Sequence, residues 1–365
     1  RRTAMPPAPP CKAITPQIAW HGKEPVLSID VSVTGFVATG GADNEVVLWR
    51  LRLNKEPGEA VCWVQTLTGI HSKPVNVVRF SPDGLTLASA GDDGAVVLWK
   101  DQGDRAGGGG GGAFGEAPRP AGSVNWRPLM LGGHGFDVYD LCWAPNGERL
   151  FSGCVDGSCI VWDVATKKKL QAFSDHDHFV QGVTWDPRDE FLVSMSGDRS
   201  ARVYRGGGAG RGEYACCHVL TKRLQLPAPT DAAETSAAPL RQKTTELFLD
   251  DSVPSFFRRL SWSPDGSFLL LPCGQHRPAC ASPDDAPLPT THVFARGALQ
   301  EPCAHLPGPT KPVVATRCCP VLFELRPTAS DTGAAASGDG GRPEAADVEA
   351  LSLAELKELI ASAGL

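Results

Sequence analysis

The 365-residue chain lacks the marks of several large protein classes. No apolar run approaches the roughly 18 residues needed to cross a bilayer. Arg1–Pro10 have no apolar core of the secretory-signal kind. None of the 12 cysteines falls in a C-x-x-C pair. Cys142 and Cys319 sit in apolar, strand-like runs, which reads as reduced thiols in an intracellular protein rather than a disulfide framework. The six glycines Gly107–Gly112 are not followed by Gly-Lys-Ser/Thr, so a phosphate-binding loop is not expected. Positive charge is not in excess either. The formal net charge of −6 offers no broad attraction to nucleic acid and suits a basic partner at least as well.

What the chain has in quantity is turns and repetition. Its 40 glycines and 31 prolines approach a fifth of the residues, against the ~12% usual for the pair. Four histidines, His21, His71, His134 and His176, open four segments. Each is followed 22 residues later by an aspartate: Asp43, Asp93, Asp156 and Asp198. Each is followed 28 residues later by a large aromatic: Trp49, Trp99, Trp162 and Tyr204. Four residues before each aspartate stands a hydroxyl: Thr39, Ser89, Ser152 and Ser194.

Within a segment the pattern is short strands separated by tight turns. In the second, the expected strands are 75–80, 87–90 and 95–99, with turns at Ser81-Pro82-Asp83-Gly84 and Gly91–Gly94. In the third they are 138–143, 150–153 and 158–162. Alternating apolar strands bounded by Asp-Gly and Asn-Gly predict an all-β fold. A period near ~40 residues, with Gly133-His134 and Trp162-Asp163, resembles the WD40 repeat that builds β-propeller blades. A Ser-His-Asp set also invites a hydrolase reading. A catalytic set occurs once, however, and this one occurs four times, so the expectation is structural. In the repeat family the aspartate accepts from histidine, the histidine meets the hydroxyl, and the hydroxyl reaches the tryptophan N–H. Tyr204 leaves the last link of the fourth set open.

A fifth unit is degenerate. Its Ser263-Pro264-Asp265-Gly266 turn is intact, Val253 stands where histidine should, and 291–295 is expected as an outer strand. A sixth begins at 312–320 and 321–325 and stops after Arg326. The expected organisation is a disordered tail at 1–13 and an incomplete propeller at 14–326. Flexible insertions at 101–125 and 206–245, a disordered linker at 327–349 and an amphipathic helix at 350–365 complete it. The helix rests on the Ser352/Glu355 capping box and the stripe Leu353, Leu356, Leu359, Ile360.

Longer strings are more specific than the repeat. They include Phe179-Val180-Gln181-Gly182-Val183-Thr184-Trp185-Asp186-Pro187 and Ser255-Phe256-Phe257-Arg258-Arg259-Leu260-Ser261, with Asp137–Trp143 and Lys73–Pro82. In this order they closely resemble the family of the WD40 (middle) subunit of chromatin assembly factor 1. The resemblance implies a seven-bladed propeller with about five to six blades present here. It implies a non-enzymatic scaffold in the nucleus, without cofactor or metal, in a histone chaperone complex for replication-coupled nucleosome assembly. The implied partners are the large subunit of that factor and histones three and four. A further chaperone, anti-silencing function 1, is implied as a partner whose contact region lies in a tail, beyond two further blades, that is not seen here. Neither a membrane nor direct sequence-specific nucleic-acid binding is expected. The rival readings are a replication-independent HIR-type chaperone and a substrate receptor of a cullin ubiquitin ligase. The second often carries Trp-Asp-x-Arg, where this chain has Trp162-Asp163-Val164-Ala165.

Loops on a rigid scaffold usually carry function, and aromatic and arginine side chains are the usual hot spots. The candidate partner-binding residues are therefore Asp137, Tyr139, Asp140, Phe179, Gln181, Asp250, Asp251, Phe256, Phe257, Arg258 and Arg259. The competing expectation is that Phe256 and Phe257 are core and that Arg258 and Arg259 are an ordinary solvated pair.

Overall fold

A computed structural model describes residues 21–52, 61–102, 125–206, 213–225, 243–277, 286–306 and 309–319. The expected tail, linker and C-terminal helix lie outside the described residues, as do 321–325. The described chain is strand and turn, with one short 3-10 helix at Arg296–Ala298.

Five antiparallel four-stranded sheets follow one another in sequence order. The first holds β1 (Val26–Val31), β2 (Phe36–Gly41), β3 (Val46–Leu51) and β4 (Val61–Leu67). The second holds β5 (Val75–Phe80), β6 (Thr86–Gly91), β7 (Ala95–Asp101) and β8 (Trp126–Gly133). The third holds β9 (Val138–Trp143), β10 (Arg149–Cys154), β11 (Cys159–Asp163) and β12 (Lys168–Phe173). The fourth holds β13 (Val180–Trp185), β14 (Phe191–Ser196), β15 (Ala201–Gly206) and β16 (Tyr214–Leu220). A two-stranded ribbon, β17 (Lys222–Gln225) with β18 (Lys243–Glu246), precedes the fifth sheet. That sheet holds β19 (Ser261–Trp262), β20 (Phe268–His276), β21 (Leu288–Ala295) and β22 (Ala304–Leu306). The chain divides into two compact units, residues 1–154 with 161–170, and residues 155–160 with 171–365.

The local reasons are legible in each sheet. The hairpin after the first strand needs a residue in the left-handed region. Gly84, Gly147 and Gly266 supply it at φ +72°. In the fourth sheet Asp189 takes that conformation at φ +59°, and its carboxylate accepts from Trp185 Nε1 at 2.7 Å. Register slips by one residue near the start of the first strand in each of the first four sheets. These bulges leave Asn76, Tyr139 and Gln181 outside the regular pairing, which re-aims a side chain.

The sheets bury apolar faces against one another inside each unit. Phe36, Ala38, Leu48 and Leu67 of the first sheet share one cluster with Val75, Val78, Phe80 and Trp99 of the second. Phe191, Val193 and Val203 of the fourth share another with Leu260, Trp262, Leu269 and Phe294 of the fifth.

Two expectations are corrected. Residues 206–245 are not one flexible insertion, because Tyr214–Leu220 is the outer strand of the fourth sheet and Lys222–Gln225 half of the ribbon. Tyr214 and Leu220 are buried at the two ends of β16, and the strand pairs with β15 over Ala201–Gly206. Residues 291–295 belong to the third strand of the fifth sheet, with β22 outside it. The start of the sixth unit lies parallel to Arg259, whose N–H donates to Val314 O at 2.9 Å.

Candidate functional site

The recurring side chains form hydrogen-bonded chains. In the first sheet His21 Nδ1 lies 2.7 Å from Asp43, His21 Nε2 lies 2.9 Å from Thr39, and Trp49 Nε1 donates to Thr39 at 3.1 Å. In the second the corresponding distances are 3.0 Å for His71–Asp93, 2.8 Å for His71–Ser89 and 2.8 Å for Trp99–Ser89. In the third, Ser152 Oγ is 2.7 Å from His134 Nε2 and accepts from Trp162 Nε1 at 2.8 Å. There Asp156 accepts from the N–H of Ser158 at 2.9 Å. In the fourth, His176 is 2.8 Å from Asp198 and 2.7 Å from Ser194. Burial pushes the Tyr204 phenol far above its ordinary range.

The chemistry has a direction. A carboxylate only accepts, so the facing Nδ1 carries hydrogen. An indole only donates, so in the first three sheets the hydroxyl accepts from it and stands within hydrogen-bond distance of Nε2. The imidazole then has a partner at each ring nitrogen in the first, second and fourth sheets, which a buried polar chain requires. Each set joins the turn before a sheet to the second and third strands of that same sheet.

Burial pushes the Asp198 carboxyl up, but hydrogen bonds from His176 and Ser200 outweigh it and hold the group well below the usual carboxylate range. Asp93 is lowered in the same way, with burial opposed by His71 and the Ser72 and Ala95 N–H groups. A depressed folded pKa stabilises the fold above the unfolded pKa and ceases to do so as pH falls. Unfolding free energy is therefore expected to decline from about pH 5 downward. Measured against pH by urea titration, Asp198→Asn should show a shallower acid limb than the unaltered chain, the difference shrinking below about pH 5 and vanishing only as pH falls through the depressed folded pKa.

The fifth sheet shows what happens when the set is replaced as a whole. Leu269 pairs with Phe294 as Leu87 pairs with Trp99, and Leu271 opposes His292 as Ser89 opposes Val97. Leu271 thus stands at the hydroxyl position and Phe294 at the indole position. With Val253 at the histidine position, all three are buried in one apolar cluster. Removing every polar partner together leaves no orphan.

The eleven docking candidates divide by burial. Phe256 is 68% exposed and Phe179 42%, and the Asp251 and Asp250 carboxylates are well exposed. Asp137, Phe257 and Arg259 are half-buried, with the Arg259 guanidinium 4.1 Å over the Phe257 ring. Tyr139, Asp140, Gln181 and Arg258 are buried, which corrects their expected exposure. Each has a physical reason. Tyr139 and Gln181 are bulge residues, and Gln181 Nε2 reaches Ser255 O at 3.2 Å. Asp140 pairs with Arg79 at 3.3 Å. Arg258 donates to Leu249 O at 2.7 Å and to Asp250 O, props the 249–250 loop, and loses basicity through burial. Neither arginine of the Arg258–Arg259 pair is fully solvated, so the competing reading fails for both; it also fails for the exposed Phe256.

Residues that spacing alone did not flag join one sheet to the next. Val78 N–H donates to Ser28 Oγ at 3.2 Å and Phe80 N–H to Asp30 at 2.8 Å. Asn76 Nδ2 donates to Val138 O at 3.0 Å. Between the fourth and fifth sheets, Arg296 pairs with the fully buried Asp186 and, at 2.7 Å, with Glu190. Gly182 has no room for a side chain, since a Cβ there would lie 2.1 Å from Arg258 O. A cation or a glycine separated in sequence from its contact carries no local signal of its role.

Comparison with known proteins adds the family. The family model described as the CAF1B/HIR1 beta-propeller domain matches residues 11–337. A Mus musculus relative, named as one subunit of chromatin assembly factor 1, is 39% identical over 329 residues, covering 87% of this chain and 53% of that protein. The Saccharomyces cerevisiae protein of the same name is 32% identical over 346 residues, covering 84% of this chain and 69% of that protein. Protein HIR1 of Kluyveromyces lactis is 27% identical over 322 residues, covering 86% and 33% respectively. The chain spans about half the length of the mouse relative.

Proposed function

Because the chain belongs to the CAF1B/HIR1 β-propeller family, a class of non-catalytic scaffolds, we propose that it is the propeller subunit of a replication-coupled histone chaperone. In this reading it works in the nucleus, binds the large subunit of chromatin assembly factor 1, and helps deliver histones three and four to newly replicated DNA. Anti-silencing function 1 is a further partner in the same reading. One observation carries the choice within the family. Identity to the mouse chromatin assembly factor 1 protein is 39%, against 27% to Protein HIR1, over nearly equal shares of this chain.

The physical features agree with a scaffold. The buried members of the recurring polar sets are paired within their own repeats, and among the docking candidates Phe179, Phe256 and Asp251 are exposed, which suits capture of a basic, partly apolar protein segment. Asp137, Phe179, Asp250, Asp251, Phe256, Phe257 and Arg259 remain as docking residues. Tyr139, Asp140, Gln181 and Arg258 act beneath the surface, by holding the loops that present the others.

The test is purification of the tagged chain from nuclear extract, across a range of salt, with blotting for the large subunit, histones three and four, and anti-silencing function 1. Copurification with the large subunit, and loss of assembly on replicated templates after depletion, is the expected result. Copurification with a HIR complex, or with neither, overturns the reading.

A further inference from the structure

The third sheet departs from the first and second at one position, and the departure carries an inference independent of the docking role proposed above. Strand register sets Cys154 opposite Val138, as Gly41 stands opposite Val26 and Gly91 opposite Val75. A side chain at this position enters the gap between imidazole and carboxylate. A Cβ at Gly41 would press on His21 Nδ1 and lie 2.7 Å from Asp43 Oδ1. In the third sheet that side chain exists and is a thiol. Its imidazole, His134, is half-buried where His21, His71 and His176 are buried. The fourth sheet has Ser196 there, whose Oγ turns to the backbone, donating to His178 O at 3.0 Å and accepting from Asp198 N–H at 3.2 Å.

His134, Cys154 and Asp156 each bring one ligand atom to within 4.8 Å of the other two. Their backbones are held. His134 N–H donates to Gly94 O at 2.9 Å, Cys154 ends β10, and Asp156 accepts from Ser158 N–H in the hairpin turn. The imidazole is also oriented from behind. Its Nε2 lies 2.7 Å from Ser152 Oγ, and its ring stands edge-on to Trp162 at 6.0 Å. A hydroxyl oxygen has two lone pairs, so Ser152 can accept from Nε2–H as well as from the Trp162 indole. That tautomer leaves the Nδ1 lone pair for a metal, with the second nitrogen fixed by a hydrogen bond. One imidazole nitrogen, one thiolate and one carboxylate suit zinc, whereas magnesium and calcium take oxygen. Thiolate and carboxylate together balance a divalent charge. Tetrahedral bonds of about 2.0–2.3 Å set ligand atoms roughly 3.3–3.8 Å apart, a spacing that side-chain rotation reaches.

We propose that His134 Nδ1, the Cys154 thiolate and an Asp156 carboxylate oxygen bind one zinc ion, with water in the fourth position. The ion stands where a direct imidazole–carboxylate bond stands in the first, second and fourth sheets. Cys154 is fully buried, but Asp156 is exposed and His134 half-buried, so the ion reaches the thiol past the carboxylate that binds it. On binding, the thiol releases its proton to solvent and the neutral imidazole keeps its own on Nε2. The site ties the β10–β11 hairpin to the turn before the third sheet.

The experiment uses the full chain, reduced and stripped of metal by a chelator, with zinc(II) and cobalt(II) as probes. Zinc titrated against a chromophoric chelator should bind at one tight site per chain and release about one proton. Cobalt should give a thiolate-to-metal charge-transfer band. Cys154→Ser, which copies the residue of the fourth sheet, should abolish that band and weaken zinc about a hundredfold; Asp156→Asn should weaken zinc about tenfold and keep the band. Cys216→Ser, at an exposed cysteine of the fourth sheet, should change neither. Zinc should raise the unfolding midpoint of the unaltered chain and not that of Cys154→Ser. If Cys154→Ser fails to fold, Asp156→Asn, at an exposed position, decides by the same affinity comparison. Undiminished zinc affinity in these variants, a cobalt spectrum without the thiolate band, or calcium binding as tight as zinc overturns the proposal.

Discussion

Replacing Ser89 by alanine is expected to lower the free energy of unfolding by about 3 kcal/mol, because one hydroxyl serves two buried partners. Ser89 is fully buried, and its oxygen lies 2.8 Å from both His71 Nε2 and Trp99 Nε1. Removing it orphans both nitrogens, in a place where water has no access. The fifth sheet supplies the control. Its corresponding positions are Val253, Leu271 and Phe294, buried together without polar partners. The triple variant His71→Val, Ser89→Leu, Trp99→Phe should therefore be less destabilised than the sum of the three single changes, by more than about 1 kcal/mol. Urea titration of the three singles and the triple measures this coupling. Simple additivity would mean that the three groups do not act as a unit.

The second large effect is at Arg296. Its guanidinium is shared by Asp186, Glu190 and the Gly266 carbonyl, and lies over the faces of Phe191 and Trp262 at 5.3 and 5.4 Å. Asp186 is fully buried. Arg296→Met keeps most of the volume but strands that carboxylate, and breaking a buried pair from one side costs about 3–5 kcal/mol. The 15% exposure of the Arg296 side chain favours the lower end. Asp186→Asn in the same chain removes the stranded charge while its amide oxygen can still accept from Arg188 N–H. The double variant should recover part of the loss in a thermal or chemical denaturation series. A double variant that is worse than Arg296→Met alone would show that the turn-capping role of Asp186 outweighs its charge.

Much of this organisation can be read from residue spacing. The histidine, hydroxyl, aspartate and aromatic positions are recoverable because the hydroxyl and aromatic lie on consecutive strands, the histidine and aspartate in the turns that precede them, and the set repeats. The first three strands of the second and third sheets are recoverable because they alternate, or run apolar, between Gly-containing turns. The outermost strands are harder. Trp126–Gly133 contains Pro128 and two glycines, and Lys168–Phe173 is largely exposed, so neither carries a clean period. Bulges are invisible to pattern, because a one-residue slip leaves composition unchanged. Hence Gln181 and Tyr139 read as exposed when they are buried. Arg258 misleads for another reason: a cation in a polar loop is expected outside, and only the folded chain reveals the two carbonyls that hold it within. For Phe256 it is the competing core reading that errs, since the ring is exposed.

The bonds from Asn76 to Val138 O and from Gln181 to Ser255 O share an orientation, each running from a completed strand to backbone that lies later in the chain. On a ribosome, that later backbone emerges last. Each hairpin can then gain its final tether as soon as the next first strand leaves the exit tunnel, without waiting for the whole polypeptide. Protease resistance of stalled nascent chains should therefore rise in steps rather than all at once, and a single late rise would contradict that sequence of events.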